Sequence, residues 1–189
     1  PESTTNACAV PLYKTSSFVF NNTEHAANLF GLRELGNIYT RLMNPTTDVL
    51  EQRVAAMEGG AAALGIASGT SAVFYSIINL AQEGDEIISA NNLYGGTYTQ
   101  FNDILPKFGI KVKFVDPNNP ADFAAAITDK TKALFCESVS NPGLDVADIK
   151  AIANVADDHG IPLIVDSTFS TPYLTNPIEH GASIVIHSL

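Results

Sequence analysis

Basic side chains are scarce in this chain, which has 10 Lys and Arg residues against 20 Asp and Glu residues and a formal net charge of -10. Nucleic acids and anionic membrane surfaces are bound by basic stripes, so this balance argues against both kinds of partner. Long hydrophobic runs are lacking too, since no stretch approaches the roughly 20 apolar residues of a membrane span. The sequence therefore predicts neither a nucleic-acid nor a membrane partner.

Cysteine is limited to Cys8 and Cys136, which cannot build a disulfide framework. Cys136 lies inside an apolar run, as a small buried hydrophobic residue would. The first residues, Pro1-Glu2-Ser3-Thr4-Thr5-Asn6, do not resemble a signal peptide. We therefore expect a cytoplasmic protein.

Nucleotide and metal motifs are also missing. No Gly-Lys-Ser/Thr follows the spacing of a P-loop, and no G-x-G-x-x-G is present. His25, His159 and His180 do not have the spacing of metal ligands. These absences weaken nucleotide-binding interpretations and predict no metal site.

The composition, 46% hydrophobic and 16% charged, is typical of a well-buried globular protein. Residues 1–44 lack periodicity, and we predict an irregular N-terminal arm that lies on another surface, such as a neighbouring subunit. From Asn44 the pattern becomes regular, because Asn44 can cap a helix that has Pro45 in its first position. Residues 45–189 are predicted to form one α/β domain.

Short apolar runs alternate with helical patterns along this domain. The predicted strands cover residues 62–67, 86–90, 111–115, 133–136, 162–166 and 182–187. The predicted helices cover 71–80, 94–108 (disturbed by Pro106), 120–127 and 147–159. Strands that are apolar throughout and separated by helices indicate a mostly parallel sheet covered on both faces. We predict a three-layer α/β/α domain, with half of a (β/α)8 barrel as the alternative.

In such a sheet, ligands bind beyond the carboxyl ends of the strands. Ser68, Gly69 and Thr70 join a predicted strand to a helix, where Gly allows close approach and a helix N-terminus favours an anion. These three residues could therefore hold a phosphate, although taken alone they are more typical of an ordinary helix cap.

Asp166 ends an apolar run, where a carboxylate is costly unless it is paired or hydrogen-bonded. Three partners are open: a magnesium ion, a backbone turn, or the protonated ring nitrogen of a pyridine cofactor. His187 could join Asp166 as a metal ligand, but a histidine at a strand end is more often simply packed or hydrogen-bonded.

Three further positions carry candidate ligand contacts. Tyr94 is followed by Gly95-Gly96, which leaves room for its ring to stack over a planar ligand. Arg41, close to Tyr39, could bind phosphate or carboxylate. A phosphate seat, an acid, a stacking Tyr and an Arg together match the requirements of pyridoxal phosphate, but no lysine is placed to anchor it.

The sequence resembles the Cys/Met-metabolism family of pyridoxal-phosphate enzymes, that of cystathionine gamma-synthase. Six motifs in order carry the resemblance: Tyr39-Thr40-Arg41-Leu42-Met43-Asn44-Pro45-Thr46, Ser68-Gly69-Thr70, Leu93-Tyr94-Gly95-Gly96-Thr97, Glu137-Ser138-Val139-Ser140-Asn141-Pro142, Val165-Asp166-Ser167-Thr168-Phe169 and His187-Ser188. Thr40, where gamma-synthases and gamma-lyases usually have Ser, makes the first motif most similar to the O-acetylhomoserine sulfhydrylase branch.

The resemblance implies a fold-type I domain with pyridoxal 5'-phosphate as cofactor and a role for each matched residue. Ser68, Gly69, Thr70 and Ser188 would hold the phosphate. Tyr94 would stack on the ring and assist catalysis, Asp166 would hold the ring nitrogen, and Thr168 would line the opposite side. Asn141, otherwise a turn residue, would contact the ring hydroxyl. Tyr39 and Arg41 would reach the phosphate of a neighbouring subunit in a homotetramer.

The family's Schiff-base lysine stands in a Ser-x-Thr-Lys pattern, of which Ser188 and Leu189 supply the first two places. That lysine and the family's C-terminal domain are expected beyond the 189 residues. The implied reaction is a gamma-replacement in methionine biosynthesis, in which O-acetylhomoserine and sulfide give homocysteine and acetate. Cystathionine gamma-synthase, a methionine or cystathionine gamma-lyase, and a non-catalytic α/β ligand-binding module stay open as alternatives.

Overall fold

The computed structural model describes residues 6–189, which form two compact units. The first unit extends to Ala56 and also includes Ala61–Gly65, and the second comprises Met57–Gly60 and Ile66–Leu189. Within the described residues, no helix is both long and apolar enough to cross a membrane.

The N-terminal region contains helix α1 at Thr23–Phe30, so the prediction of an irregular segment is wrong there. The Asn22 side chain caps this helix by accepting a hydrogen bond from the His25 N–H at 2.8 Å. Eight residues are too few to show a sustained apolar period, which explains why the pattern missed the helix. Residues 1–5 of the predicted arm lie outside the described residues.

Helix α2 spans Pro45–Glu58, and its start is the predicted one. The Asn44 Oδ1 accepts a hydrogen bond from the Thr46 N–H at 2.9 Å, and Pro45 occupies the first helical position. Gly59 follows the last helical residue with a φ of 69°, a conformation that glycine adopts without strain.

The strand predicted at residues 62–67 is wrong. The segment has no regular secondary structure and pairs with no other strand of the described chain, and Leu64 is 75% exposed. The run is rich in alanine and glycine, which have low β propensity, so local apolarity alone did not indicate a strand.

One parallel sheet organises the second unit. Its strands are β1 (Glu86–Ala90), β2 (Lys111–Val115), β3 (Thr131–Glu137), β4 (Leu163–Asp166) and β5 (Ile184–Ile186). They lie in the order β2-β1-β3-β4-β5, and every neighbouring pair is parallel. The chain therefore moves outward from β1 to β2 and then returns to the other side of β1, a reversal that a (β/α)8 barrel does not contain. The predicted α/β fold is confirmed and the barrel alternative is excluded.

One helix precedes these strands and others connect them. They are α3 (Gly69–Leu80), α4 (Gly95–Thr99), α5 (Pro120–Ala126), α6 (Ile149–Asp158) and α7 (Thr171–Leu174). After α4 the chain continues as a π-helix at Gln100–Ile104 and a 3-10 helix at Leu105–Phe108. Within a regular α-helix a proline lacks the required N–H and its ring would clash with the carbonyl four residues back. The change of helix type around Pro106 confirms the predicted disturbance.

The core lies on both faces of the central strands. β1 is buried over its whole length, and Phe101 packs edge-to-face against Phe135 of β3 with ring centroids 4.9 Å apart. Cys136 of β3 is fully buried, and this burial raises the pKa of its thiol to about 12. Cys8, by contrast, is exposed.

We expect the two cysteines to differ sharply in reactivity, because the thiolate is the reactive species. Iodoacetamide at pH 8 should modify Cys8 in the native protein and reach Cys136 only after denaturation, as measured by peptide mass spectrometry. Equal labelling of both thiols in the folded protein would contradict the packing of β3.

Candidate active site

A cavity of about 230 Å³ opens at the carboxyl ends of the strands, in the second unit. Its polar lining comes from the segments that follow β1, β3, β4 and β5 and from the start of α3. The lining residues are Ser68, Gly69, Thr70, Val73, Tyr94, Thr97, Glu137, Val139, Asn141, Asp166, Thr168, Phe169 and Ser188. All eight site residues that were predicted within this unit line the cavity together.

The start of α3 meets the segment after β5. The Ser68 hydroxyl caps α3 by accepting a hydrogen bond from the Ser71 N–H at 3.1 Å, so the predicted cap is real. A methyl group on Gly69 would lie 2.7 Å from Cβ and 3.1 Å from Oγ of Ser188. Only glycine permits this approach, which brings a hydroxyl donor beside the first amides of a 12-residue helix. The arrangement suits a phosphate.

Asp166 is partly buried at the end of β4. Its Oδ1 accepts a hydrogen bond from the Thr168 N–H at 3.0 Å, and the Thr168 hydroxyl in turn accepts one from the Ser188 N–H at 3.0 Å. The turn-capping role is therefore present, and it uses one carboxylate oxygen. The other oxygen is left for a cationic or N–H group in the cavity.

The Tyr94 ring lies against Gly96. A methyl group at Gly96 would come within 2.5 Å of the Tyr94 Cε1, whereas one at Gly95 would have no neighbour within 4 Å. The two glycines therefore have different roles, and Gly96 alone provides the space that the sequence predicted for this ring. Tyr94 is 51% exposed and lines the cavity, so its ring is accessible to a planar ligand.

Glu137 is a site residue that the sequence analysis did not assign. It ends the apolar β3 as Asp166 ends β4, and that shared position was the available signal. Its Oε1 accepts a hydrogen bond from the Tyr94 N–H at 2.7 Å, and its Oε2 accepts one from the Asn141 N–H at 3.1 Å. Burial raises the pKa of this carboxyl, and the neighbouring Asp166 charge adds to the rise.

His187 does not point to a metal site. Its Nε2 lies 2.5 Å from the Glu58 Oε1, and both side chains are more than 90% buried. Within residues 6–189, no three His, Cys, Asp or Glu side chains are grouped to hold a metal ion. His187 thus has the hydrogen-bonded role expected of a histidine at a strand end.

Tyr39 and Arg41 belong to the first unit. Both are exposed, and the Arg41 guanidinium carbon lies 5.2 Å from the centre of the Tyr39 ring. This stacked pair is the geometry of a cation–π contact. Their predicted contact with a phosphate of a neighbouring subunit stays a prediction.

Comparison with known proteins identifies the family. The sequence model of a family described as Cys/Met metabolism PLP-dependent enzymes matches residues 1–189. The chain belongs to this family. It is 56% identical over its full length to the O-acetyl-L-homoserine sulfhydrylase of Leptospira meyeri and 51% identical to the homocysteine synthase of Schizosaccharomyces pombe. It spans 43% and 44% of the lengths of these two relatives.

Solved structures agree with this family assignment. A putative O-acetylhomoserine (thiol)-lyase from Campylobacter jejuni, which contains N'-pyridoxyl-lysine-5'-monophosphate, matches 98% of this chain and 46% of its own, with 44% identity and a TM-score of 0.96. The O-acetylhomoserine sulfhydrylase of Wolinella succinogenes matches 75% of this chain and 40% of its own, with 40% identity and a TM-score of 0.72. The fold-type I prediction is therefore confirmed.

The cavity fits pyridoxal phosphate, the cofactor of the family. The close approach of Gly69 and Ser188 forms a cradle that a side chain at Gly69 would fill, next to helix amides suited to the phosphate. A carboxylate at Asp166 suits a protonated ring nitrogen, and Tyr94 supplies a flat face for the ring.

We expect Gly96→Ala to push the Tyr94 ring out of its place and weaken cofactor binding about tenfold, a loss of one favourable contact of this class. Titration of the full-length apoenzyme with pyridoxal phosphate, followed by fluorescence, measures the effect. Gly95→Ala is the matched control and should bind normally, because its methyl group meets no atom. Equal affinity in both variants would show that Gly96 does not position Tyr94.

Proposed function

We propose that this chain forms the cofactor-binding part of a pyridoxal-phosphate enzyme that converts O-acetylhomoserine and sulfide to homocysteine and acetate. The observation that carries the proposal is 56% identity along all 189 residues to an O-acetyl-L-homoserine sulfhydrylase. The cavity lined by the matched residues supports it. The relatives named homocysteine synthase point to the same product.

We assign binding of the phosphate to the start of α3 and to Ser188. Gly69 and Thr70 would donate backbone N–H groups, and the Ser188 hydroxyl would donate a further hydrogen bond. Ser68 would contribute by fixing the helix start, since its hydroxyl already caps α3. The phosphate site would therefore combine the dipole of α3 with the hydroxyl of Ser188, which follows β5.

The ring would lie between the segments that follow β1 and β4. Tyr94 would stack on one face and Thr168 would border the other, while Asn141 would contact the ring hydroxyl. Pyridoxal phosphate, when bound, withdraws electrons from the substrate amino acid and makes its Cα–H acidic. Asp166 would keep a proton on the ring nitrogen, because a carboxylate next to that nitrogen favours its charged form.

We also propose a homotetramer in the cytoplasm. Tyr39 and Arg41 are exposed and stacked, which leaves the guanidinium available to a phosphate of a neighbouring subunit. The free thiols of Cys8 and Cys136 are in keeping with a reducing compartment.

The reaction can be tested with the full-length enzyme, O-acetylhomoserine and sulfide. We expect homocysteine and acetate in equal amounts, with the protein yellow from its cofactor. If homocysteine is absent and oxobutanoate forms from methionine or cystathionine, the protein is a gamma-lyase. A colourless protein that does not bind added pyridoxal phosphate would indicate a ligand-binding module of another kind.

Asp166→Asn tests the role of the charge, because the amide oxygen can still accept the hydrogen bond from Thr168. We expect kcat to fall about 100-fold, the usual loss when one electrostatic group of a site is removed, while cofactor affinity falls much less. Steady-state kinetics and cofactor titration measure the two effects. Near-normal turnover would contradict the role proposed for Asp166.

A further inference from the structure

Glu137 connects two segments that contribute different parts of the cofactor site. Tyr94 follows β1 and Asn141 follows β3, and these strands are neighbours in the sheet. Each oxygen of the Glu137 carboxylate accepts one backbone N–H, from Tyr94 at 2.7 Å and from Asn141 at 3.1 Å. One side chain therefore holds the main chain of both residues.

This bridge lies where the direction of strand addition reverses. The chain goes from β1 outward to β2 and returns to β3 on the other side of β1. The segments that follow β1 and β3 consequently leave the sheet toward opposite faces, and a crevice opens between them. The pairing of β1 with β3 ends at Ser89 and Phe135, and the Glu137 carboxylate links the two segments beyond that point.

The surroundings of Glu137 make an ionised carboxylate energetically costly for a side chain that serves only as a structural link. Glu137 is 7% exposed and stands in register with Asp166 of β4, another acid. Both burial and the like charge oppose ionisation, and only the two N–H groups offset these costs. The Asn92 side chain also donates a hydrogen bond to Asp145 at 3.1 Å, so the two segments are linked again at the surface.

We propose that Glu137 is a positioning residue that fixes Tyr94, which would stack on the cofactor ring, relative to Asn141, which would contact the ring hydroxyl. It acts through the main chain of these two residues. The inference rests on the proposed cofactor site but not on the identity of the substrate. A cation held by Asp166 offsets the like charge beside Glu137, so ring binding and the bridge support each other.

The test compares Glu137→Gln and Glu137→Asp in the full-length enzyme. The glutamine amide offers one acceptor and turns an N–H donor toward the other backbone N–H, so one of the two bonds is lost. Aspartate keeps the charge beside Asp166 but is one methylene too short to reach both donors.

Three quantities are measured: the melting temperature of the apoenzyme, the dissociation constant of pyridoxal phosphate, and the visible circular dichroism per bound cofactor, which reports ring orientation. For both variants we expect the dissociation constant to rise about tenfold, as for loss of one charged hydrogen bond, and the dichroism to change in amplitude.

Glu86→Gln is the matched control. Glu86 is also a buried acid of a central strand, but it starts β1 at the opposite end of the sheet, where it pairs with Lys113 at 2.8 Å. This variant should melt at a lower temperature and keep both the normal affinity and the normal dichroism.

The proposal is overturned if Glu137→Gln binds the cofactor with normal affinity and dichroism, or if Glu86→Gln alters them equally. It is also overturned if Glu137→Asp behaves as wild type, since the charge alone would then suffice. If Glu137→Gln does not fold, the cofactor affinity and the circular dichroism of Glu137→Asp decide the question. Failure of the proposed reaction would instead appear as a wild-type enzyme that binds the cofactor normally and forms no homocysteine.

Discussion

Parallel pairing between β3 and β4 is the constraint on which the rest of the site depends. Its register places Glu137 directly beside Asp166, so two acids end neighbouring buried strands at the same edge of the sheet. Glu137 accepts the backbone N–H groups of Tyr94, which follows β1, and of Asn141, which follows β3, and Asp166 accepts that of Thr168, which follows β4. These three donor residues line the cavity. A slip of β4 by one residue would send the Asp166 carboxylate to the opposite face of the sheet and leave the Thr168 N–H without its acceptor.

Buried serine hydroxyls next to these two acids in the chain form a further set of polar contacts. The buried Ser170 hydroxyl lies 2.8 Å from that of Ser138 and 2.6 Å from that of Ser167, residues that follow Glu137 and Asp166 in the chain. The Ser138 N–H also donates to the Asp166 carbonyl at 2.9 Å. Buried hydroxyls that satisfy one another in this way fix the geometry of the strand ends, because each would be costly to leave without a partner.

Much of this arrangement was predictable from the sequence, since apolar strands separated by helices specify a parallel sheet and so gather their following residues at one edge. Ser68, Tyr94, Asp166 and Ser188 were found in this way, and they line one cavity. Glu137 was not assigned a role, because its position at a strand end marks it as a candidate but does not show its backbone contacts with Tyr94 and Asn141. The prediction of a strand at residues 62–67 was wrong for a related reason. A strand forms only where another strand pairs with it, and sequence periodicity does not show whether such a strand is present.

The contact between Gly69 and Ser188 has a consequence for biosynthesis. Gly69 begins α3, and Ser188 follows β5, the last strand of the unit, so their contact joins the two ends of a long stretch of chain. During synthesis on the ribosome, β1, β3 and β4 can pair while β5 is still inside the exit tunnel. The contact between Gly69 and Ser188 therefore forms only after β5 has docked, whereas the pairing of the central strands does not depend on it.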